Sequence, residues 1–328
     1  MNIVWQVPVF LYLFFLTMAP SSIMAMAVSG VKPVLVTGAN KGIGKAICAK
    51  LLKEYPETLV LLGSRDEARG KAAVQDLTAT LGEETVADRL YMVPLDTGSD
   101  DSVQAAVQHC RDILGDTKLY GICNNAGVLG GVSTTELINV NFYGPQRINN
   151  AFVSNNNMMM ETEGRIVNMA SGGAPGFVQG CRNSQLQKAL TEPWSLKGGV
   201  EELNQLVESF VDQDAAQYPH QSLYGFSKAS LNAYTWLLAN QYPNLIVNSV
   251  SPGWVATDMT AGSAASKTPE EGAVPPVYLL MDEDVAQKPT GRYYGSDCKR
   301  SPYHLYRDPG EPEYNGPDGP KKEADALL

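Results

Sequence analysis

The chain has 328 residues, 44% of them apolar and 18% charged, which is enough hydrophobic mass for a large core and excludes global disorder. A formal net charge of -10 excludes the basic footprint of a nucleic-acid binder, so any anionic ligand must be held by local cations and backbone dipoles. The scattered cysteines (Cys48, Cys110, Cys123, Cys181, Cys298) contain no C-x-x-C pair and the three histidines lie far apart, so neither a disulfide framework nor a metal site is expected.

Met1 to Val31 carries no charged side chain. Its apolar run, Val7 to Met18, has the length of a signal h-region and is short for a membrane span, and Ala25-Met26-Ala27 supplies an A-x-A cleavage pattern. Residues 1–27 therefore read as a removed targeting segment, with no stable membrane span expected after processing. The missing Lys or Arg ahead of the run keeps an uncleaved anchor as the alternative. No N-x-S/T sequon occurs, and the final address, secretory route, organelle or cytoplasm, stays open.

From Val34 onward short apolar runs alternate with amphipathic stretches. Strands are predicted at Val34 to Thr37, Leu59 to Gly63, Leu90 to Leu95, Leu119 to Cys123, Arg165 to Met169 and Leu245 to Val250. Helices are predicted at Ile43 to Leu52, Glu67 to Leu81, Ser102 to Leu114, Glu136 to Ser154 and Ser222 to Asn240. This βαβα rhythm predicts an α/β fold, a doubly wound parallel sheet of Rossmann type spanning 32–300. Residues 172–221 interrupt the rhythm with an amphipathic helix around Val200, Leu203, Leu206, Val207, Phe210 and Val211, a helical insertion. Residues 301–328, rich in Pro, Gly and charge, read as a disordered tail.

The stretch Thr37 to Ile47, "TGANKGIGKAI", sets Gly38, Gly42 and Gly44 between the first strand and helix, where free backbone N–H groups and the helix dipole favour a phosphate. The T-G-x-x-x-G-x-G spacing resembles that of the short-chain dehydrogenase/reductase family. Further stretches carry the same resemblance: "NNAG" from Asn124, "NVNFYG" with Asn141, "RIVNMAS" ending on Ser171, "YGFSK" with Tyr224 and Lys228, and "SPGWVATDM" from Ser251 to Met259. A Tyr-x-x-x-Lys spacing alone carries little, since the chain has 15 tyrosines. The order and strand-relative placement of all of them carry the resemblance.

Reduction of a carbonyl by a nicotinamide needs an acid at the carbonyl oxygen and a donor to orient it. Tyr224 is the expected acid, and Lys228, four residues on and so on the same helical face, is expected to lower its pKa. The resemblance further implies that Ser171 donates to the carbonyl oxygen, that Lys228 holds the nicotinamide ribose, and that Asn141 belongs to a proton relay. At the end of the second strand Arg65, with Lys41 in the glycine loop and Ser64 as a further donor, favours the 2'-phosphate of NADP(H); Asp66 is left to pair with Arg65 or Arg69. Asn40, Ile43, Asp96, Asn124, Val255 and Thr257 complete the cofactor site that the resemblance implies. The 53 positions between Ser171 and Tyr224 resemble the monomeric carbonyl reductases, among them menthone and salutaridine reductases, and imply a monomer that reduces a ketone, aldehyde or quinone. A non-catalytic NADPH sensor, or an alcohol dehydrogenase running oxidatively, are the alternatives.

Overall fold

The computed structural model describes residues 30–317, so the targeting segment expected at 1–27 lies outside the described residues. Eight strands form one sheet: β1 (Lys32–Val36), β2 (Thr58–Ser64), β3 (Leu90–Pro94), β4 (Gly121–Asn124), β5 (Arg165–Met169), β6 (Ile246–Val250), β7 (Tyr293–Tyr294) and β8 (Arg300–Ser301). Their spatial order is β3-β2-β1-β4-β5-β6-β7-β8, with every neighbouring pair parallel except β7 and β8. Because successive side chains of a strand point to opposite faces, both faces must be apolar where both are covered. Leu35 and Leu61 pack into one core, while Val34, Val36, Val60 and Leu62 pack into the other. The chain winds outward from β1 to β3, then restarts at β4 on the other side of β1. Loops diverge at that point, which opens a crevice beyond the strands' C-terminal ends.

Several elements differ from the sequence-based expectation. The helix expected over Glu136 to Ser154 is a composite: α-helical at Thr134–Ile138 and Gly144–Asn149, with wider π-turns at Asn139–Tyr143 and Asn150–Asn155. Pro269–Met281 is a helix despite Pro275 and Pro276 inside it. A capping box starts it, with Glu271 N donating to Thr268 Oγ1 (3.2 Å) and Thr268 N donating to Glu271 Oε2 (2.7 Å). Its buried apolar residues then outweigh the broken ladder.

Residues 301–317 are also unlike the expected tail. Ser301 pairs with Tyr293 in the β7–β8 ladder, and Tyr303 is buried with its hydroxyl on the Gly291 carbonyl (2.5 Å). Arg307, 8% exposed, forms an ion pair with Asp297 and donates to the Glu311 carbonyl (2.8 Å), while Gly310 N donates to Asp297 Oδ2 (2.9 Å). A composition of proline, glycine and charge reads as solvated, yet here one of those charges closes a fold-back. The part of that expectation that falls on 318–328 lies outside the described residues.

The insertion places helices Gly173–Gly180, Ser184–Thr191 and Gly199–Gln213 against the long helix His220–Gln241. Leu203, Val207 and Phe210 are buried, while Glu201, Glu208 and Asp212 face solvent. Phe210 meets Phe226 of the long helix at 4.3 Å between ring centroids and Phe177 at 5.6 Å. Covered by the sheet on one side and the insertion on the other, the long helix buries fifteen of its 22 residues. Phe210→Ala is expected to destabilise the protein by about 3–5 kcal/mol, read as a lowered denaturant midpoint, because it empties the centre of this aromatic cluster.

Candidate active site

A cavity of about 800 Å³ lies beyond the C-terminal ends of the central strands. The turn after β1 supplies Gly38, Asn40, Lys41, Gly42, Ile43 and Gly44 to its wall. Gly38 and Gly42 have φ of +63° and +55°, left-handed values that favour glycine. Gly44 is required for a different reason: a Cβ there would lie 2.6 Å from the Gly38 carbonyl oxygen and 2.5 Å from the Asn125 amide nitrogen. That amide donates to the carbonyls of Thr37 (2.9 Å) and Gly38 (3.2 Å), and Thr37 Oγ1 accepts from Ala126 N (3.0 Å). The glycine turn is thereby tied to the loop after β4, with the N-terminus of helix Gly42–Glu54 at its mouth.

At the end of β2, Arg65 is exposed and lines the cavity, and among the described residues it has no hydrogen-bonded or ionic partner. Asp66 caps helix Glu67–Leu81. It accepts from Arg69 N at 2.9 Å and pairs with Arg69 Nε at 3.2 Å, and the backbone bond first, then the guanidinium, holds its carboxyl below the usual range. Arg69 also lines the cavity; sequence reasoning missed that role, although its place in the first turn of the helix that follows Arg65 was a usable signal. Ser64 is fully buried and donates to the Asp66 carbonyl (2.7 Å), so it is no free phosphate donor. Lys41 lines the cavity and pairs with Asp258 at 2.7 Å, which links the glycine turn to the loop after β6. Asp96 lines the cavity, with Oδ1 accepting from Gly98 N (2.9 Å).

Two expected cofactor residues do not reach the cavity. Asn124 is buried in the sheet opposite Asn168, to which its amide donates (2.9 Å) while also donating to Asn149 (3.2 Å). Strand alternation is the cause: of the Asn124-Asn125 pair, the second residue leaves the strand and lines the cavity. Val255 is buried against Gly272, and the cavity is lined instead by its neighbours Ala256, Thr257, Asp258 and Met259.

At the other end the catalytic candidates meet. Ser171 follows β5 by two residues, its Oγ accepts from Gly173 N (3.1 Å), and a Cβ on Gly173 would lie 3.6 Å from that Oγ and 3.7 Å from the Cα of Gly225, the neighbour of Tyr224. Ser171 is not itself among the residues lining the cavity; Tyr224 and Lys228 are. Lys228 is 4% exposed, its Nζ donates to the Met169 carbonyl (2.8 Å), and it lies 5.6 Å from the Tyr224 ring centroid. Asn141, fully buried in the first π-turn, holds the backbone of Val128 on both sides, accepting from its N–H (2.8 Å) and donating to its carbonyl (2.8 Å), and also donates to Ser227 Oγ (3.1 Å). A Cβ on Gly127 would lie 3.3 Å from Asn141 Oδ1 and 3.5 Å from Lys228 Nζ, so the amide and the ammonium face one small space.

Burial dominates the electrostatics. It pushes the Tyr224 phenol up to about 12 against the lowering influence of the Ser171 side chain, and pulls the Lys228 ammonium down to about 8. Burial outweighs any lowering of the Tyr224 phenol by Lys228 in this arrangement, so the phenol lies above its ordinary value. The ammonium is engaged by the Met169 carbonyl, and the phenol is protonated throughout the neutral range.

Residues 32–181 match the family model described as short chain dehydrogenase. The chain is 33% identical over 296 residues to "Carbonyl reductase [NADPH] 1" of Mus musculus, covering 84% of this chain and 100% of the mouse protein. The chain belongs to the short-chain dehydrogenase/reductase family. Among solved members, salutaridine reductase from Papaver somniferum superposes with a TM-score of 0.68 at 25% identity, over 80% of this chain and 99% of that one. Menthone neomenthol reductase from Mentha piperita gives a TM-score of 0.66 at 27% identity, over 81% and 99%. In this short-chain dehydrogenase/reductase no described helix is long and apolar enough to cross a membrane.

Proposed function

We propose that this chain reduces a ketone, aldehyde or quinone to the alcohol at the expense of NADPH. It is an NADP-dependent oxidoreductase of its family. The observation that carries the finer reading is that Tyr224 and Lys228 line one cavity with Arg65 and Arg69, while Ser171 follows the strand whose Met169 carbonyl holds Lys228. The residues present fit the dinucleotide. Side-chain-free Gly38 and Gly42 and the helix N-terminus suit a pyrophosphate, and the unpartnered Arg65 suits a 2'-phosphate. Arg65, Arg69 and Lys41 would hold the adenosine end, with Asp96 at the adenine edge, and Lys228 the nicotinamide ribose. When bound, NADPH supplies the hydride.

The chain's own residues handle the proton. A carbonyl oxygen placed beside Ser171 and Tyr224 accepts a hydrogen bond from Ser171 Oγ, which steadies the charge that develops there, and takes the Tyr224 proton. A phenol raised to about 12 is in the protonated form that reduction requires at neutral pH. Lys228, still largely charged below about 8, stabilises the phenolate left behind, and the space it shares with Asn141 suits a relay that returns a proton. The insertion, seated on helix His220–Gln241 by its aromatic cluster, covers a face through which copies could otherwise associate, which supports a monomer.

The reading is tested by following NADPH oxidation against quinones, aldehydes and cyclic ketones. Tyr224→Phe is expected to abolish turnover while leaving NADPH binding, measured by fluorescence titration, intact; tight NADPH binding with no turnover of any substrate would give the site to a sensor. Arg65→Ala is expected to weaken NADPH by about 10-fold and NADH hardly at all, as the loss of one charge-assisted contact to the 2'-phosphate requires. In a pH series, kcat for reduction is expected to hold at neutral pH and to decline as pH rises through about 8, because Lys228 loses its charge there while Tyr224 keeps its proton.

A further inference from the structure

Ser171 is followed by Gly172 and Gly173, the most permissive backbone a chain can place after a residue whose hydroxyl must be aimed. The structure removes that freedom with two buried hydroxyls. Tyr293 on β7, 3% exposed, donates from its hydroxyl to the Ser171 carbonyl at 3.1 Å. Ser251 at the end of β6, 6% exposed, accepts from Gly172 N at 3.1 Å and from Gly253 N at 3.4 Å. The Ser171 carbonyl and the Gly172 N–H belong to a single peptide unit, so both of its polar groups are gripped, one by each hydroxyl.

The two hydroxyls are placed by the sheet edge that the sequence hides. Tyr293 pairs with Ser249 of β6 and with Ser301 of β8, Ser251 N donates to the Tyr294 carbonyl (2.9 Å), and Ala170 N donates to the Val250 carbonyl (2.8 Å). Burial also pushes the Tyr293 phenol up, so the group stays a donor.

We infer that Tyr293 and Ser251 are positioning residues for the reduction: by fixing the plane of the Ser171–Gly172 peptide they fix the direction of the Ser171 hydroxyl. The inference rests on the reading of Ser171 given above. Neither residue touches the reacting atoms, and each acts through Ser171. A donor that must meet a developing charge within hydrogen-bond distance loses much of its effect when its backbone can rotate.

Tyr293→Phe removes the hydroxyl and keeps the ring. Its expected signature, on the best substrate of the carbonyl panel, is a kcat lower by about 10-fold with KM for that substrate and the NADPH dissociation constant nearly unchanged. In a Ser171→Ala background the same change is expected to cost nothing further, because the group it aims is gone. Ser251→Ala, which disturbs the packing less, is expected to repeat both results and provides the test if the Phe variant folds poorly. The inference is overturned if folded Tyr293→Phe and Ser251→Ala both turn over at the wild-type rate, or if their losses multiply fully with that of Ser171→Ala, which would mark a general structural role. Wild-type turnover by Ser171→Ala itself would overturn it by a different route, since the active-site reading fails first.

Discussion

Holding the Lys228 ammonium inside the protein is the constraint around which the rest is arranged. A buried charge costs several kcal/mol unless it is paired, and this one is met by the Met169 carbonyl at the end of β5. Part of the cost is relieved by letting the group titrate near 8, which keeps a responsive cation beside Tyr224. The same contact joins helix His220–Gln241 to the strand that ends beside Ser171, so Tyr224, Lys228 and Ser171 share one rigid junction.

That junction works only while water is kept from the helix. The sheet encloses one side and the insertion the other, through Phe177, Phe210, Tyr218 and Phe226. The far edge of the sheet is finished by β7, β8 and the fold-back latched by Arg307 and Asp297. This edge stabilises more than itself, since Tyr293 reaches from it to the backbone of Ser171. At the other end of the cavity, in a chain of net charge -10, Lys41 and Arg69 are paired with Asp258 and Asp66, and Arg65 is the lining cation left without a partner among the described residues.

The fold and most of the site were legible because they are written in local pattern. The run Arg165 to Met169 and the periodic stretch Glu67 to Leu81 coincide with β5 and a helix residue for residue, since each carries its signal within one element. The composite helix after β4 reads as uniform in the sequence because a π-turn shifts the register without changing apolar content. Helix Pro269–Met281 is hidden in the sequence because two prolines argue against a helix and only its buried face restores it.

Local order and residue type by themselves determined the doubly wound sheet, the glycine turn at its switch point and the four-residue spacing that puts Tyr224 and Lys228 on one face. Tertiary structure alone decided that Asn125 and not Asn124 meets the cavity, that burial raises the Tyr224 phenol, and that Tyr293 and Arg307 are built into the folded sheet edge. The reason is physical. Two-residue strands have no periodicity to read, and a hydrogen bond, an ion pair or a desolvated charge is defined by partners that the chain brings together only on folding.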